Sequence, residues 1–128
     1  MRQTVVVPAP PAAVFTALTD GETFAAVSGA PAAIESGAGG AFSCFGGMIE
    51  GRTLDSAPGE RLVQAWRVKL WEAGQFSLVR FELSAVEGGT EIRLAQDAHP
   101  DAQTQSLADG WHANYRGPLT AHFEASAS

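Results

Sequence analysis

After Gly40 the spacing of apolar residues changes once, from two residues to about four, and this change limits the folds available to the chain. Between Gly40 and Asp97 apolar and polar residues alternate, which is the pattern of β-strands with one buried face. After residue 100 the pattern is that of one long amphipathic helix. Its apolar positions are Leu107, Trp111, Tyr115, Leu119 and Phe123. The sequence therefore predicts antiparallel strands followed by a long C-terminal helix.

The residues before Gly40 predict one strand and two short helices, over residues 3–7, 12–18 and 22–27. Three consecutive valines favour the strand, and Pro8 ends it because proline has no N–H to donate to a sheet. Pro11 suits the first turn of a helix, and Asp20 is a candidate N-cap of the second helix. We expect the Gly-, Ala- and Ser-rich segment 28–40 to be mostly loop.

Glycine pairs mark two hairpin turns. Gly46-Gly47 predicts a two-residue turn with Cys44 opposite Ile49. Gly88-Gly89 predicts a second turn, between strands over residues 77–86 and 90–97. The register of the second hairpin then pairs Leu83 with Leu94, Ala85 with Ile92, Phe81 with Gln96, and Arg80 with Asp97. Between the hairpins, the strand over residues 61–70 has Trp66 on its inward face.

Pro118 interrupts the C-terminal helical pattern. It has no N–H to donate to the Asn114 carbonyl, and its ring clashes with that carbonyl in a regular helix. We therefore predict a kink near residues 115–117 in a helix that begins near residue 101.

Composition and charge exclude several classes of partner. Eight Lys and Arg against fourteen Asp and Glu give a net charge of −6, which argues against nucleic acid and anionic membrane surfaces. We expect a single domain over residues 1–128. The single cysteine cannot form an internal disulfide, and the opening residues hold only three consecutive apolar residues. We therefore expect no leader, no membrane segment and a cytoplasmic location.

The predicted order of elements is a strand, two helices, about five further strands and one long helix, which is an α+β order with the helices on one face of the sheet. This is the helix-grip arrangement, β-α-α-β5-6-α, in which a curved antiparallel sheet wraps round a long C-terminal helix. It predicts a cavity between the sheet and that helix.

Several short motifs resemble those of one protein family. They are Gly39-Gly40 before a strand, Arg61-Leu62-Val63 followed by Trp66-Arg67, then Trp71, and Gly110-Trp111 with Tyr115. On these motifs, the sequence resembles the domain that forms the C-terminal half of the activators of the heat-shock-protein-90 ATPase. The similarity runs over nearly the whole chain. Glu72 stands where many relatives have proline, so we expect the loop at residues 71–75 to be shaped differently.

The resemblance implies the fold of the START and birch-pollen-allergen-like superfamily, also called SRPBCC. Its members bind lipids, hormones and polyketides or catalyse their cyclisation. The resemblance also implies a heat-shock-protein-90-type chaperone as a partner. Eukaryotic activators carry a further N-terminal domain that makes the principal chaperone contacts, and we expect 128 residues to leave no room for it.

Large apolar and polar side chains share the predicted inner surface. They are Gln64, Trp66, Phe81, Leu94 and Gln96 from the sheet, and Trp111, Tyr115 and Leu119 from the helix. A solid core rarely holds two glutamines, since an unpaired buried amide costs about 1 to 3 kcal/mol. One interpretation is a pocket for a small apolar or amphipathic ligand, with the glutamines as orienting groups. The other is that these polar groups satisfy one another or lie at a rim.

The predicted outer face of the sheet is a second candidate surface. Strand parity places Arg67, Phe76 and Arg80 on it, where they are candidates for binding a protein or a second copy of the chain. Interleaved charges of this kind are also typical of a solvated face. Monomer and homodimer both stay open.

The sequence shows no catalytic or metal-binding motif. His99, His112 and His122 lack the spacing of metal ligands, and Cys44 lies among apolar neighbours that would not activate its thiol. The sequence therefore favours a binding protein without cofactor or metal. A co-chaperone-like module, and a small cyclase or hydrolase that uses the same cavity, are the alternatives.

Overall fold

The computed structural model describes residues 2–35, 37–98 and 104–127. These residues contain one antiparallel sheet of seven strands and four α-helices. The strands are β1 Arg2–Val7, β2 Ala33–Ile34, β3 Ala41–Cys44, β4 Ile49–Ala57, β5 Arg61–Val68, β6 Ser77–Val86 and β7 Gly89–Asp97. The helices are α1 Pro11–Thr19, α2 Gly21–Ser28, α3 Thr104–Trp111 and α4 Gly117–Ala127. The strand order in the sheet is β1-β7-β6-β5-β4-β3-β2.

The prediction of an α+β helix-grip fold is confirmed. The order is one strand, two helices, six strands and the C-terminal helices, and the sheet is open and curved. Buried side chains of the sheet and the C-terminal helices form one core cluster. Its members include Leu62, Trp66, Phe81, Ile92 and Leu94 from the sheet, and Leu107, Trp111, Leu119 and Phe123 from the helices. The two short helices complete this core through residues such as Phe24.

The two N-terminal helices begin where the sequence predicts. Pro11 occupies the first turn of α1. The Thr23 backbone N–H donates to the Asp20 carboxylate at 3.0 Å, so Asp20 caps α2. This bond pairs one of the N–H groups that a helix start leaves without a partner.

The predicted irregularity in the C-terminal helix is present, and it begins earlier than expected. Residues His112–Arg116 form a π-helical segment in which the Gly117 N–H donates to the His112 carbonyl. Pro118 follows directly, so the wider turn absorbs the hydrogen bond that proline cannot make. The segment places Tyr115 in the aromatic core beside Trp111.

Strand pairing agrees with the prediction in the first hairpin and contradicts it in the second. Cys44 pairs with Ile49 as expected. In the second hairpin Val86 pairs with Gly89, so the turn is Glu87-Gly88 and the predicted register is wrong by two residues. The correct pairs include Leu83 with Ile92, Phe81 with Leu94, Val79 with Gln96 and Arg80 with Ala95.

The position of Gly89 explains the difference. Gly89 belongs to β7, and a Cβ atom there would lie 1.9 Å from the Val7 carbonyl oxygen. Glycine is therefore required by the close approach of β1, and the turn needs only Gly88, whose φ is +87°. A shift of two residues keeps every side chain on its predicted face of the sheet.

Candidate functional site

A cleft of about 490 Å³ opens between the C-terminal helix and the end of the sheet near the β3–β4 turn. Ten residues line it: Phe45, Met48, Ile49, Trp66, Val68, Leu107, Gly110, Trp111, Asn114 and Tyr115. None of these side chains carries a formal charge, and four are aromatic. The volume and the apolar lining are those of a small-molecule site.

A chain of buried hydrogen bonds fixes one wall of this cleft. The Trp111 indole N–H donates to the Gln96 side-chain oxygen at 2.7 Å, and the Gln96 amide donates to the Ser77 hydroxyl at 3.0 Å. The Ser77 hydroxyl in turn donates to the Trp66 carbonyl at 2.8 Å. Gln96 is completely buried. The helix is therefore tied to β5, β6 and β7 by a polar network inside the core.

The Trp66 indole differs from that of Trp111 in its hydrogen bonding. The two indole rings are stacked, with centroids 5.2 Å apart, and Trp66 is only 3% exposed. Within the part of the chain that the structure describes, the Trp66 indole nitrogen is shielded and makes no well-formed hydrogen bond, and the Tyr115 hydroxyl is the group that interacts with it. A buried donor left unpaired costs about 1 to 3 kcal/mol, so such a group is rarely kept in a folded protein without a reason.

Tyr115 lies at the centre of the aromatic contacts. Its ring centroid is 4.3 Å from that of Trp111 and 5.6 Å from that of Phe45. Desolvation raises the pKa of the Tyr115 phenol far above its ordinary value, the Cys44 thiol adds to this effect, and the Trp66 indole partly offsets it. The phenol therefore stays protonated and can donate a hydrogen bond.

The eight side chains that the sequence places around one cavity do not enclose a single space. Trp66, Trp111 and Tyr115 line the cleft. Gln64 and Phe81 line a separate void of about 10 Å³, which has the size of one water molecule. The Tyr115 side chain borders both spaces and lies between them.

The other three predicted site residues line neither the cleft nor the small void. Leu94 and Leu119 line a gap of about 30 Å³ on the β1 side of the C-terminal helix, which Phe81, Trp111 and Tyr115 also border. Gln96 holds Trp111 in place rather than lining the cleft. A contact between any of the eight residues and a ligand stays a prediction.

Sequence reasoning missed most of the cleft lining. Phe45 and Met48 belong to the β3–β4 turn. The alternation of a strand does not extend into a turn, so it cannot assign these side chains to one face of the sheet. Gly110 and Asn114 could have been found, because Gly110 lies three residues after Leu107 and Asn114 three residues after Trp111 on the C-terminal helical run. Leu107 belongs to the predicted apolar stripe, whose periodicity indicates burial and does not distinguish the core from a cleft.

Arg67 does not have the surface role that strand parity suggests. It is only 9% exposed, and its guanidinium donates to Glu50 at 2.6 Å and to the carbonyl groups of Trp71, Glu72 and Gln75 at 2.8 to 3.3 Å. The loop after β5 thus folds back over this side chain. Arg67 holds the loop in place, and its guanidinium is not free to contact a partner protein.

Replacing Arg67 by alanine should lower the free energy of unfolding by about 2 kcal/mol, because three loop carbonyls and Glu50 lose a charged donor. Urea denaturation measures the effect. Arg61→Ala is the matched control, since its ion pair with Asp55 is about half exposed and should contribute less than about 1 kcal/mol. Equal losses in the two variants would contradict the structural role of Arg67.

The other two candidates for protein binding are exposed and lie in separate grooves. Phe76 is 43% exposed and borders an open groove of about 850 Å³ on the outer face of β3, β4 and β5. Arg80 pairs with Glu82 at 3.0 Å beside a smaller groove of about 150 Å³ near β1. Both are accessible to a partner.

Cys44 is buried at 4% exposure, and desolvation raises the pKa of its thiol to about 12. The thiolate is the reactive form of cysteine, so this group is chemically inert in the folded protein.

We expect Cys44 to react with a thiol reagent at pH 8 only after the protein is unfolded, and at the rate of an ordinary thiol once it is. Stability should also fall as pH rises from 9 towards 12, because the unfolded thiol loses its proton in this range while the folded thiol keeps it. Urea denaturation at pH 8 and pH 10 tests this. The Cys44→Ala variant should lose less stability over the same interval, and identical pH dependence in both proteins would contradict the prediction.

Two further features bear on the expected function. Among the described residues, no group of three or more His, Cys, Asp or Glu side chains is arranged to hold a metal ion, and His99 lies outside these residues. No helix in the described ranges is long and apolar enough to cross a membrane.

Comparison with known proteins decides the family. The family model described as "Activator of Hsp90 ATPase homolog 1-like protein" matches residues 8–124. The chain belongs to this family. Among activator-family relatives, the Activator of 90 kDa heat shock protein ATPase homolog 1 of Homo sapiens is 28% identical over 105 residues, which are 82% of this chain and 31% of the human protein. The chain thus spans about a third of the length of this curated relative.

Two solved structures of similar size have the same fold. A crystal structure of an HSP90 activator from Plasmodium falciparum has a TM-score of 0.85 at 26% identity, with 91% of this chain and 90% of that chain covered. A protein from Chromobacterium violaceum has a TM-score of 0.78 at 26% identity, with 97% and 96% covered. The activator-family fold therefore accounts for nearly the whole chain.

Proposed function

We propose that this activator-family domain is a binding module that holds a small apolar or amphipathic molecule in the cleft, without catalysing a reaction on it. The observation that carries the proposal is a cleft of about 490 Å³ with an uncharged lining that includes four aromatic residues. The lining contains no carboxylate, histidine or cysteine among the described residues, so it offers no acid–base pair for turnover.

The cleft is preorganised for binding. The Gln96–Ser77 network holds Trp111, and Trp66 is packed between Trp111 and Trp71, with centroids at 5.2 and 5.9 Å. A wall that is already ordered loses little conformational entropy when a ligand arrives. Rigid aromatic faces also give a large contact area per side chain.

Native mass spectrometry of the purified protein, combined with a thermal-shift screen of apolar acids, lipids and aromatic compounds, tests the proposal. We expect a co-purified mass that is lost on denaturation, or a compound that raises Tm. Gly110→Leu is the informative variant, because a side chain at Gly110 meets only the Asn114 amide at 3.8 Å and would fill the cleft. Gly110→Ala is its control.

The stabilisation by a compound should disappear in Gly110→Leu and persist in Gly110→Ala. A compound that stabilises both variants equally binds elsewhere and contradicts the assignment of the cleft. If no compound stabilises the protein and no mass co-purifies, the ligand-binding proposal fails.

A second candidate function is regulation of a heat-shock-protein-90-type chaperone. It is favoured by the Plasmodium falciparum protein, which is described as an HSP90 activator and which this chain covers over 90% of its length. We propose that the outer face of the sheet makes the contact, through Phe76 and Arg80. A chaperone ATPase assay with the wild type, Phe76→Ala and Arg80→Glu tests this. Stimulation that falls in both variants without a change in Tm supports it, and no stimulation by the wild type rejects it.

A further inference from the structure

Arginine side chains concentrate in one groove of this acidic protein. The groove, of about 150 Å³, lies on the outer face of β1, β6 and β7, and its charged lining consists of Arg2, Arg80, Arg93 and Glu82. Three of the eight Lys and Arg residues, in a chain of net charge −6, thus share one small space. We propose that this groove binds an acidic segment of a partner protein, whose carboxylates pair with the three arginines. The inference is independent of the cleft, and where it involves Arg80 it rests on the second candidate function and specifies the chemistry of the partner.

The register of the sheet places two of these arginines on either side of a small residue. Ala95 of β7 pairs with Arg2 of β1 on one side and with Arg80 of β6 on the other. Neighbouring strands are about 4.8 Å apart, so the Cα atoms of the two arginines are roughly 10 Å apart across Ala95. The methyl group of alanine does not fill the space between the two long side chains. One carboxylate above Ala95 can therefore reach both guanidinium groups.

Glu82 holds two of the guanidinium groups but does not balance their charge. Its Oε1 atom lies 3.0 Å from Arg80 Nε and its Oε2 atom lies 3.4 Å from Arg93 Nη2, so two arginines share one carboxylate. The Glu91 carboxylate, at 3.9 Å from Arg93, lies outside the lining of the groove. Arg2 has no ion-pair partner among the described residues. The lining thus carries an excess of positive charge, and a further carboxylate can accept two hydrogen bonds from one guanidinium.

The exposure and spacing of the arginines favour a protein segment over a single small anion. The Arg80 and Arg93 side chains are 45% and 48% exposed, so an isolated ion would stay hydrated and would be held weakly. Several carboxylates on one chain bind together, because the first contact raises the effective concentration of the next. Arg93 pairs with Thr4, two residues from Arg2 along β1, which is a separation of about 6.6 Å. An extended segment with acidic residues at alternate positions matches this spacing.

An NMR titration at low salt with a hexaglutamate peptide, blocked at both ends, tests the inference. A hexaglutamine peptide is the uncharged control, and inorganic phosphate is the small-anion control. Dissociation constants are obtained from the backbone amide shifts of the wild type, Arg2→Gln, Arg93→Gln and Arg52→Gln. Arg52→Gln is the matched control, because it removes one positive charge from the same face of the sheet but Arg52 lines the other outer groove.

We expect hexaglutamate to bind the wild type although the net charge of the protein repels it. Its affinity should fall about fivefold in Arg2→Gln and in Arg93→Gln, which is the effect of losing one partly exposed ion pair. The affinity should fall less than about twofold in Arg52→Gln, because that charge does not face the groove. All three arginines are exposed, so the variants should keep the Tm of the wild type. These results together support the inference.

Other outcomes overturn the inference and leave the proposed functions to their own tests. An equal loss of affinity in Arg52→Gln and Arg93→Gln shows a general effect of charge and overturns the assignment of the groove. Binding of phosphate or of hexaglutamine as tightly as hexaglutamate overturns the assignment to an acidic segment. If hexaglutamate does not bind, the inference is rejected. The chaperone ATPase assay with the wild type and the native mass spectrum then still decide the two proposed functions separately.

Discussion

Replacing Trp111 by alanine should lower the free energy of unfolding by about 3 to 5 kcal/mol. Trp111 is 2% exposed, and its ring contacts Trp66, Phe81 and Tyr115 at centroid distances of 4.3 to 5.8 Å. The substitution removes this packing and also leaves the buried Gln96 oxygen without its indole donor. Urea denaturation followed by far-ultraviolet circular dichroism measures the loss.

The Trp111→Phe variant separates packing from hydrogen bonding. It keeps an aromatic ring but cannot donate to Gln96, so we expect a smaller loss, of about 1 to 3 kcal/mol. A loss below about 1 kcal/mol in Trp111→Ala would contradict a core organised around this side chain.

Replacing Gly51 by alanine should lower the free energy of unfolding by about 3 kcal/mol, which is at the upper end for overpacking. A Cβ atom at this position would lie 1.8 Å from the Ala65 carbonyl oxygen and 2.8 Å from the Phe42 ring. The first of these atoms is backbone in the neighbouring strand β5, so it cannot move away as a side chain can. Relief requires β4 and β5 to separate where Gly51 pairs with Trp66.

Gly110→Ala is the control for this prediction. Its Cβ would meet only the Asn114 amide at 3.8 Å, which is an ordinary contact, and alanine is a better helix former than glycine. We expect stability to stay unchanged or to rise by up to about 1 kcal/mol. If the Gly51→Ala protein is as stable as the Gly110→Ala protein, the β4–β5 pairing differs from the one described.

The faces of the strands could be predicted from the sequence, whereas their exact pairing could not. Alternation places Phe42, Cys44, Ile49 and Trp66 inward, and all four are buried. A shift of two residues preserves this alternation, so the hydrophobic pattern cannot distinguish the predicted second hairpin from the observed one. The contact that decides it, between Gly89 and the Val7 carbonyl, joins residues far apart in the sequence.

The candidate site was predicted only in part, for a related reason. Periodicity indicates which side chains face inward, and it does not indicate how they fill the space between the layers. Tyr115 divides the expected cavity, because the π-helical segment before Pro118 brings it against Phe45 and Trp111. Likewise, Arg67 has the outward parity that the sequence predicts, but a returning loop covers it.

The central claim, that the cleft binds a ligand against Trp66, is tested most directly by the indole N–H signals in a ¹H–¹⁵N NMR spectrum. The chain contains three tryptophans, so three such signals are expected. On titration with 1-acetylnaphthalene, a flat apolar probe, the Trp66 and Trp111 signals should shift, because both residues line the cleft and a bound aromatic ring changes their magnetic environment. If all three indole signals stay unchanged up to the solubility limit of this probe, it does not occupy the cleft and the account is contradicted.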